Sequence, residues 1–319
     1  MSLPAAKSTF AFRADDGVSL HARCWLPEQA PRAAVQIAHG LAEHSARYSR
    51  LAGALNAAGY ATYAFDLRGH GPECAPNDLG HFADREGWAK CVDDLWTFNR
   101  LIAAERPGLP IVFLGHSMGS LLGRQFVAEH SDALAAAVFS GSSGKPPPIA
   151  TVGRLIARLE RLRLGKRGKS TLLNQMIFGD FNKPFRPTRT DFDWLSRDEA
   201  EVDAYAADRR CGFPFTTELA VALLDALPFL ASPASLAPIR KDLPIYVFSG
   251  ERDPVGANIQ SFIADLKAAG FTRLMTRIYA GARHETLNET NRGEVTGDLV
   301  AWLDETLRYT RRNGGSASF

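Results

Sequence analysis

The sequence predicts an α/β protein: a mostly parallel sheet flanked by helices, with a helical cap inserted late in the chain. Three observations carry that reading. Short β-prone apolar runs alternate with amphipathic helical runs up to residue 141 and again from 244. Their connections are short, which suits parallel strands covered by helices on both faces. Between 142 and 238 the alternation stops and helical periodicity dominates.

Residues 9–13 and 18–25 flank Asp15-Asp16-Gly17 and read as an edge hairpin, because Val18, Leu20, Ala22 and Cys24 alternate with polar partners. A strand at 33–38 ends in His39-Gly40-Leu41-Ala42-Glu43-His44, followed by a helix at 48–58, a strand at 60–65 and a loop at 66–72. A helix at 87–105 carries Val92, Leu95, Trp96, Asn99 and Ile102 at helical spacing. Residues 111–114 then run into Gly115-His116-Ser117-Met118-Gly119 and a helix from Leu121, and a strand at 135–140 closes the first block. The inserted segment opens on Ser142-Ser143-Gly144-Lys145-Pro146-Pro147-Pro148 and carries helical runs at 154–164, 199–208 and 216–230. A strand at 245–250, a helix at 255–269, a strand at 274–279 and a helix at 292–310 complete the pattern. The expected division is a core of 1–141 and 239–312, a cap of 142–238 and a disordered tail of 313–319.

With 319 residues, 45% of them apolar, the chain can bury a sizeable core. A net charge of +2 gives no basic excess of the kind nucleic acid requires, so no nucleic-acid partner is expected. Cys24, Cys74, Cys91 and Cys211 have no C-x-x-C spacing and read as reduced thiols. No apolar run resembles a signal peptide or approaches the roughly 20 residues of a membrane span, so a soluble, cytoplasmic protein is expected.

Strand, Gly-x-Ser-x-Gly, helix is the order of a nucleophile elbow. A tight turn would thrust the Ser117 hydroxyl above the sheet, at a helix N-terminus that favours negative charge. Acyl transfer by a serine also needs a base and a group to orient it, in the chain order serine, acid, histidine. His284 alone among eight histidines lies beyond the cap, in a loop after the last strand. Asp253 follows the strand at 245–250 and is preferred to Glu251 because it stands at the helix start facing the His284 loop; an N-cap role is the alternative. The oxyanion hole is assigned to the N–H groups of Met118, after the nucleophile, and Leu41, in the loop after an early strand.

His39-Gly40-Leu41-Ala42-Glu43-His44, Phe65-Asp66-Leu67-Arg68-Gly69-His70-Gly71 and Gly115-His116-Ser117-Met118-Gly119 together resemble the monoacylglycerol lipase/lysophospholipase-like branch of the α/β-hydrolase fold, also called the serine aminopeptidase S33 type. Gly250-Glu251-Arg252-Asp253 and Ala282-Arg283-His284-Glu285 match its acid and histidine loops. The resemblance implies serine-ester hydrolysis on a lipophilic ester such as monoacylglycerol or lysophospholipid, with amide or peptide hydrolysis as the alternative. A carboxylate-nucleophile mechanism does not fit, because Ser117 occupies that position. A non-catalytic binding protein on the same scaffold is the rival from another class. Ser120 stands where many relatives have glycine.

Other features read as structural. Asp66, Arg68 and His70 are expected to form a loop network, and His116 to point away from Ser117 and pack. Gly165-Lys166-Arg167-Gly168-Lys169-Ser170 is no P-loop, since residue 163 is arginine. No metal-ligand spacing occurs, and neither metal nor cofactor is expected. Leu155, Leu159 and Leu162 form an apolar stripe beside seven basic residues. The first expectation is a helix packed on the cap with its basic face solvated, and the alternative is transient contact with a membrane surface.

Overall fold

The computed structural model describes residues 7–312, so the expected tail at 313–319 lies outside the described residues. Eight strands form one sheet: β1 (Lys7–Arg13), β2 (Ser19–Trp25), β3 (Ala33–Ala38), β4 (Tyr60–Phe65), β5 (Ile111–His116), β6 (Ala136–Ser140), β7 (Ile245–Gly250) and β8 (Leu274–Tyr279). Their spatial order is β1-β2-β4-β3-β5-β6-β7-β8. The first two strands form the expected antiparallel hairpin, β2 meets β4 antiparallel, and every later pairing is parallel.

Every residue of β3, β4, β5, β6 and β7 is buried, which explains why these strands read as continuous apolar runs rather than alternating ones. On one face the core is built around Phe65, Phe98, Phe113 and Phe126, with α2 (Gly87–Glu105), α3 (Met118–His130) and α8 (Ile259–Ala268) packed over it. On the other, α1 (Ser49–Ala57) and α9 (Arg292–Arg312) supply Leu51, Leu55, Leu299 and Leu303 against Val112, Leu114 and Phe248.

Between β6 and β7 the chain leaves the sheet for α4 (Ile149–Leu164), α5 (Thr171–Phe178), α6 (Glu199–Ala207) and α7 (Thr217–Leu230). Helix α4 begins five residues earlier than its periodicity predicts, directly after Pro148, where proline's fixed φ suits a helix start. Helix α5 is too short to register as a periodicity; the Ser170 side chain caps it by accepting from the Leu173 N–H at 3.1 Å. The stripe on α4 faces the opposite way from the first expectation. Leu155, Leu159 and Leu162 are exposed, whereas Arg154, Arg158 and Arg161 turn toward α7 and pair with Asp225 and Glu218. The buried line of α4 is Gly153, Ala157 and Glu160, with these arginines flanking it.

Strand order reverses between β3 and β5, which run side by side while their connections leave in opposite directions. The crevice above such a switch point, at the carboxyl ends of the strands, is where open α/β sheets bind ligands. The segments at that edge are Gly40–Leu41 after β3 and Ser117 after β5.

Candidate active site

Ser117 occupies φ 52°, ψ −122°, a conformation non-glycine residues rarely adopt. The turn that imposes it is possible because two neighbours lack side chains. A Cβ on Gly119 would come within 2.3 Å of the Ala38 carbonyl oxygen, and one on Gly115 within 2.6 Å of the Gly119 carbonyl oxygen. The Ser117 N–H is tied to the Ser140 carbonyl at 2.9 Å, and the Ser120 hydroxyl donates to the Ser117 carbonyl at 2.6 Å. Ser120, the departure from glycine, thus braces the elbow.

His284 and Asp253 arrive from the loops after β8 and β7, both buried, with His284 Nδ1 2.9 Å from Asp253 Oδ1. Asp253 also accepts from the Val255 N–H and the Ser249 hydroxyl, each at 2.9 Å. An ionised carboxylate so engaged accepts a hydrogen bond from Nδ1–H and leaves Nε2 as the free acceptor. Burial opposes charge on Asp253, but the His284 interaction outweighs it and holds the carboxyl below its ordinary range. Burial likewise opposes the imidazolium, yet Asp253 raises His284 above the usual histidine value. Glu251 is engaged elsewhere, accepting from the Gly281 N–H at 2.8 Å.

Gly40, Leu41, Ser117, Met118 and His284 all line one cavity of about 100 Å³. Its walls are otherwise largely apolar, with Leu121, Ile177, Phe178, Phe181, Trp194 and Leu223 among them. The Trp194 ring lies 5.1 Å from that of His284. A serine oxygen at a helix N-terminus and a buried histidine–carboxylate pair, facing one largely apolar cavity that Leu41 and Met118 also line, are the groups that nucleophilic acyl transfer requires.

The histidines of the two loop motifs hold the backbone beside Ser117. His39 donates from Nδ1 to the Gly40 carbonyl at 2.8 Å and accepts at Nε2 from the Leu67 N–H at 2.9 Å. His70 uses Nδ1 on the Arg68 carbonyl at 2.8 Å and accepts at Nε2 from the Ala42 N–H at 3.2 Å. Burial, reinforced by His39, pushes His70 down to about 3, so it stays neutral and keeps its acceptor. The three residues of the expected loop network take separate partners: Asp66 bonds His21 and Ser45, the Arg68 guanidinium bonds Asp16 and Asp94, and His70, tied to the Arg68 carbonyl, reaches the Leu41 loop through the Ala42 N–H. Ala42 itself sits at φ 56°, a second strained residue.

Glu43 and Arg47, to which the motifs assign no role, tie the loops of the site together. Glu43 accepts from the Gly40 N–H at 2.6 Å and from the Tyr48 hydroxyl at 3.0 Å. Arg47 binds Glu43 at 2.8 Å and forks onto Glu285 at 2.6 and 2.7 Å, tying the Leu41 loop to the residue after His284. Their four-residue spacing on a helical turn was the available signal. His116 packs, as expected, and its partner is His284: the ring centres lie 4.8 Å apart, and burial, with His284 beside it, lowers His116 to about 4.

His44, Asp208 and Cys211 bring one nitrogen, one oxygen and one sulfur within 4.8 Å of one another. His44 Nε2 already bonds Asp208 at 2.9 Å, burial raises the Cys211 thiol, and the Arg47 guanidinium acts on that sulfur. A cation there would compete with the His44–Asp208 bond, which joins the loop after β3 to the inserted segment. All four cysteines are free, as their spacing predicts.

The sheet order, the elbow after β5 and the histidine loop after β8 define an α/β hydrolase. The chain belongs to the family described as serine aminopeptidase, S33, which matches residues 29–291. It is 28% identical over 308 residues to the monoacylglycerol lipase of Mycolicibacterium smegmatis, covering 94% of this chain and 98% of that protein. It is 26% identical over 313 residues to human monoglyceride lipase, covering 95% and 91% respectively. Among solved structures, a thermostable carboxyl esterase from Bacillus coagulans in complex with glycerol superposes with a TM-score of 0.87 at 26% identity, covering 95% of this chain and all of that one.

Proposed function

We propose that the protein hydrolyses carboxylic esters with lipophilic acyl groups, monoacylglycerols or lysophospholipids among them. Ser117 Oγ attacks the ester carbonyl and passes its proton to His284 Nε2, while Asp253 holds the Nδ1–H. The N–H groups of Leu41 and Met118 receive the developing oxyanion. His284 then protonates the departing alcohol, and water, activated by the same imidazole, releases the acid and restores Ser117.

The observation that carries this reading is the 2.9 Å His284–Asp253 pair opening, with the strained Ser117, on one apolar cavity. The lipase and esterase names of the relatives support an ester as substrate. Residues 142–238 act as the cap that sets substrate choice. The cavity of about 100 Å³ is below the roughly 300–1,000 Å³ usual for ligand sites, so longer acyl chains require α5 to move outward.

The cap also supplies a lipid-facing surface. Eight of the twelve exposed large hydrophobic residues, among them Ile149, Leu155, Leu159, Leu162, Leu172 and Met176, belong to α4 and α5. Such a patch marks an interaction face, and it lies beside the helix that carries Ile177 and Phe178 into the cavity. Among the described residues no helix is long and apolar enough to cross a membrane. Contact with lipid is therefore transient and superficial, and four free thiols fit residence in the cytoplasm.

A panel of acyl esters from acetyl to long chain, glycerolipids included, assayed with wild type and Ser117→Ala tests the proposal. Loss of turnover on every ester in the variant is expected, and unchanged turnover sinks it. The family's description as aminopeptidase favours one second reading, amide hydrolysis. A higher kcat/KM on aminoacyl-naphthylamides than on esters would establish it. Failure of wild type to label with a fluorophosphonate would instead favour a binding protein.

A further inference from the structure

Arg124 lies on α3, two turns beyond Ser117, and is almost wholly buried. Its Nη1 donates to the Ser143 carbonyl at 2.9 Å and its Nη2 to the Leu230 carbonyl. Ser143 stands where the chain leaves β6 for the cap, and Leu230 is the last residue of α7, on the way back to β7. One guanidinium thus holds both roots of the cap. Its Cζ lies over the Phe262 ring on α8, 3.9 Å from the ring centre.

This is a costly way to fill the space. Among the described residues no carboxylate forms an ion pair with Arg124, and its Nε–H has no partner. Asp265, which acts on it at longer range, bonds Lys145 at 2.9 Å instead. Burial lowers the guanidinium to about 10. An apolar side chain of similar volume would avoid the desolvation. What it would lack is a planar fork able to engage two carbonyls from separate segments while stacking on a ring.

The first root is fixed further downstream. The Lys145 N–H donates to the Ser261 hydroxyl at 2.8 Å, and Gly144 lies so close to α8 that a Cβ there would be 1.7 Å from the Asn258 carbonyl oxygen. Three cavity walls converge on the clamp: Leu121 one turn before Arg124 on α3, Ser143 at the first root, and Leu223 on the helix that ends at Leu230.

We propose that Arg124 is a positioning residue that sets acyl-chain selectivity, by clamping both roots of the cap to the helix that begins after Ser117. Displacing the roots changes the wall that a long acyl chain touches and that an acetyl group does not reach. The inference rests on the ester-hydrolase reading above.

Steady-state kinetics of full-length Arg124→Met and Arg124→Lys on p-nitrophenyl acetate and decanoate test it. The decanoate-to-acetate ratio of kcat/KM is expected to fall about tenfold in the methionine variant, carried by KM for decanoate, and by less in the lysine variant. A parallel loss on both esters, or an unaltered ratio, overturns the proposal, since a residue needed only for folding would act that way. If the methionine variant does not fold, hydrogen exchange on Arg124→Lys decides. Protection is expected to drop together at 142–147 and 231–236, and a drop confined to α3 overturns the clamp. A wild type that neither turns over acetate nor labels with a fluorophosphonate would instead remove the ester reading itself.

Discussion

Residues 192–216 and the α4–α5 pair both belong to the cap, yet they are held in different ways. The first stretch is sewn to the loops that carry the reacting groups. The His284 and Glu285 N–H groups donate to the carbonyls of Trp194 and Leu195 at 3.3 and 2.8 Å. Arg283 reaches the Ser196 carbonyl at 3.0 Å, and Arg197 binds Glu289 at 2.9 Å. The Tyr205 hydroxyl and the Gly212 N–H both donate to the carbonyl of the strained Ala42, at 2.8 and 2.9 Å. Helix α4 instead makes its side-chain ion pairs with α7 or within itself, α5 has no charged residue, and both turn leucines to solvent. Buried backbone groups need partners. Where the cap supplies those partners for a catalytic loop, it is part of the scaffold of the chemistry; where it does not, it is a wall that can move.

Changes at the loops should therefore lower kcat, and changes on α4–α5 should alter only how lipid reaches the site. The largest expected effect is Asp253→Asn, which sets the scale: kcat should fall about 10³–10⁴-fold, because Nδ1 loses the acceptor that fixes the tautomer. The pH profile supplies a sign. His284 must be neutral to accept a proton, so kcat/KM falls as pH drops through its pKa, which Asp253 holds above the ordinary histidine value. In Asp253→Asn that midpoint should move to lower pH, measured on the residual activity; a rise would contradict the assignment.

Next comes Arg47→Met, which leaves Glu43 and Glu285 buried without their cation. Thermal or denaturant unfolding should show a loss of about 3–5 kcal/mol, with kcat reduced as both loops relax. Tyr205→Phe removes only a hydroxyl from the cap-to-loop seam. About 1 kcal/mol of stability and roughly tenfold in kcat are expected, since Ala42 precedes Glu43 and follows Leu41, the proposed oxyanion donor. A kcat equal to wild type would break the distinction between the two stretches. The smallest change is the pair Leu155→Ser and Leu159→Ser. Stability should shift by no more than about 0.5 kcal/mol, because both are exposed, while turnover of monoacylglycerol in vesicles should drop relative to a dissolved short ester. An equal drop on both substrates would tie α4 to the chemistry after all.

Most of the sheet was legible because buried parallel strands advertise themselves as apolar runs bounded by turn residues. The elbow was legible because Ser117 sits between a strand and a helix with glycines on either side. Asp253 and His284 followed from chain order, and the structure brings them together at 2.9 Å. What sequence reading did not reach depends on partners distant along the chain. Glu43 gains its meaning only once Arg47 meets Glu285, 238 positions away. The arginines of α4 find their partners in Asp225 and Glu218 on α7, which periodicity within α4 does not see. His116 reads as a packing residue beside Ser117, but that its partner is His284 depends on the distant loop after β8.

The seam between residues 192–216 and the two loops bears on how such a protein diversifies. A segment whose carbonyls serve the histidine loop cannot be exchanged without rebuilding that loop. Helices α4 and α5 carry no such obligation, so they can be lengthened, shortened or resurfaced while the machinery beneath stays intact. Selection for a new lipid would act there first, and a chimera transplanting 149–178 alone is the economical way to reprogram this scaffold.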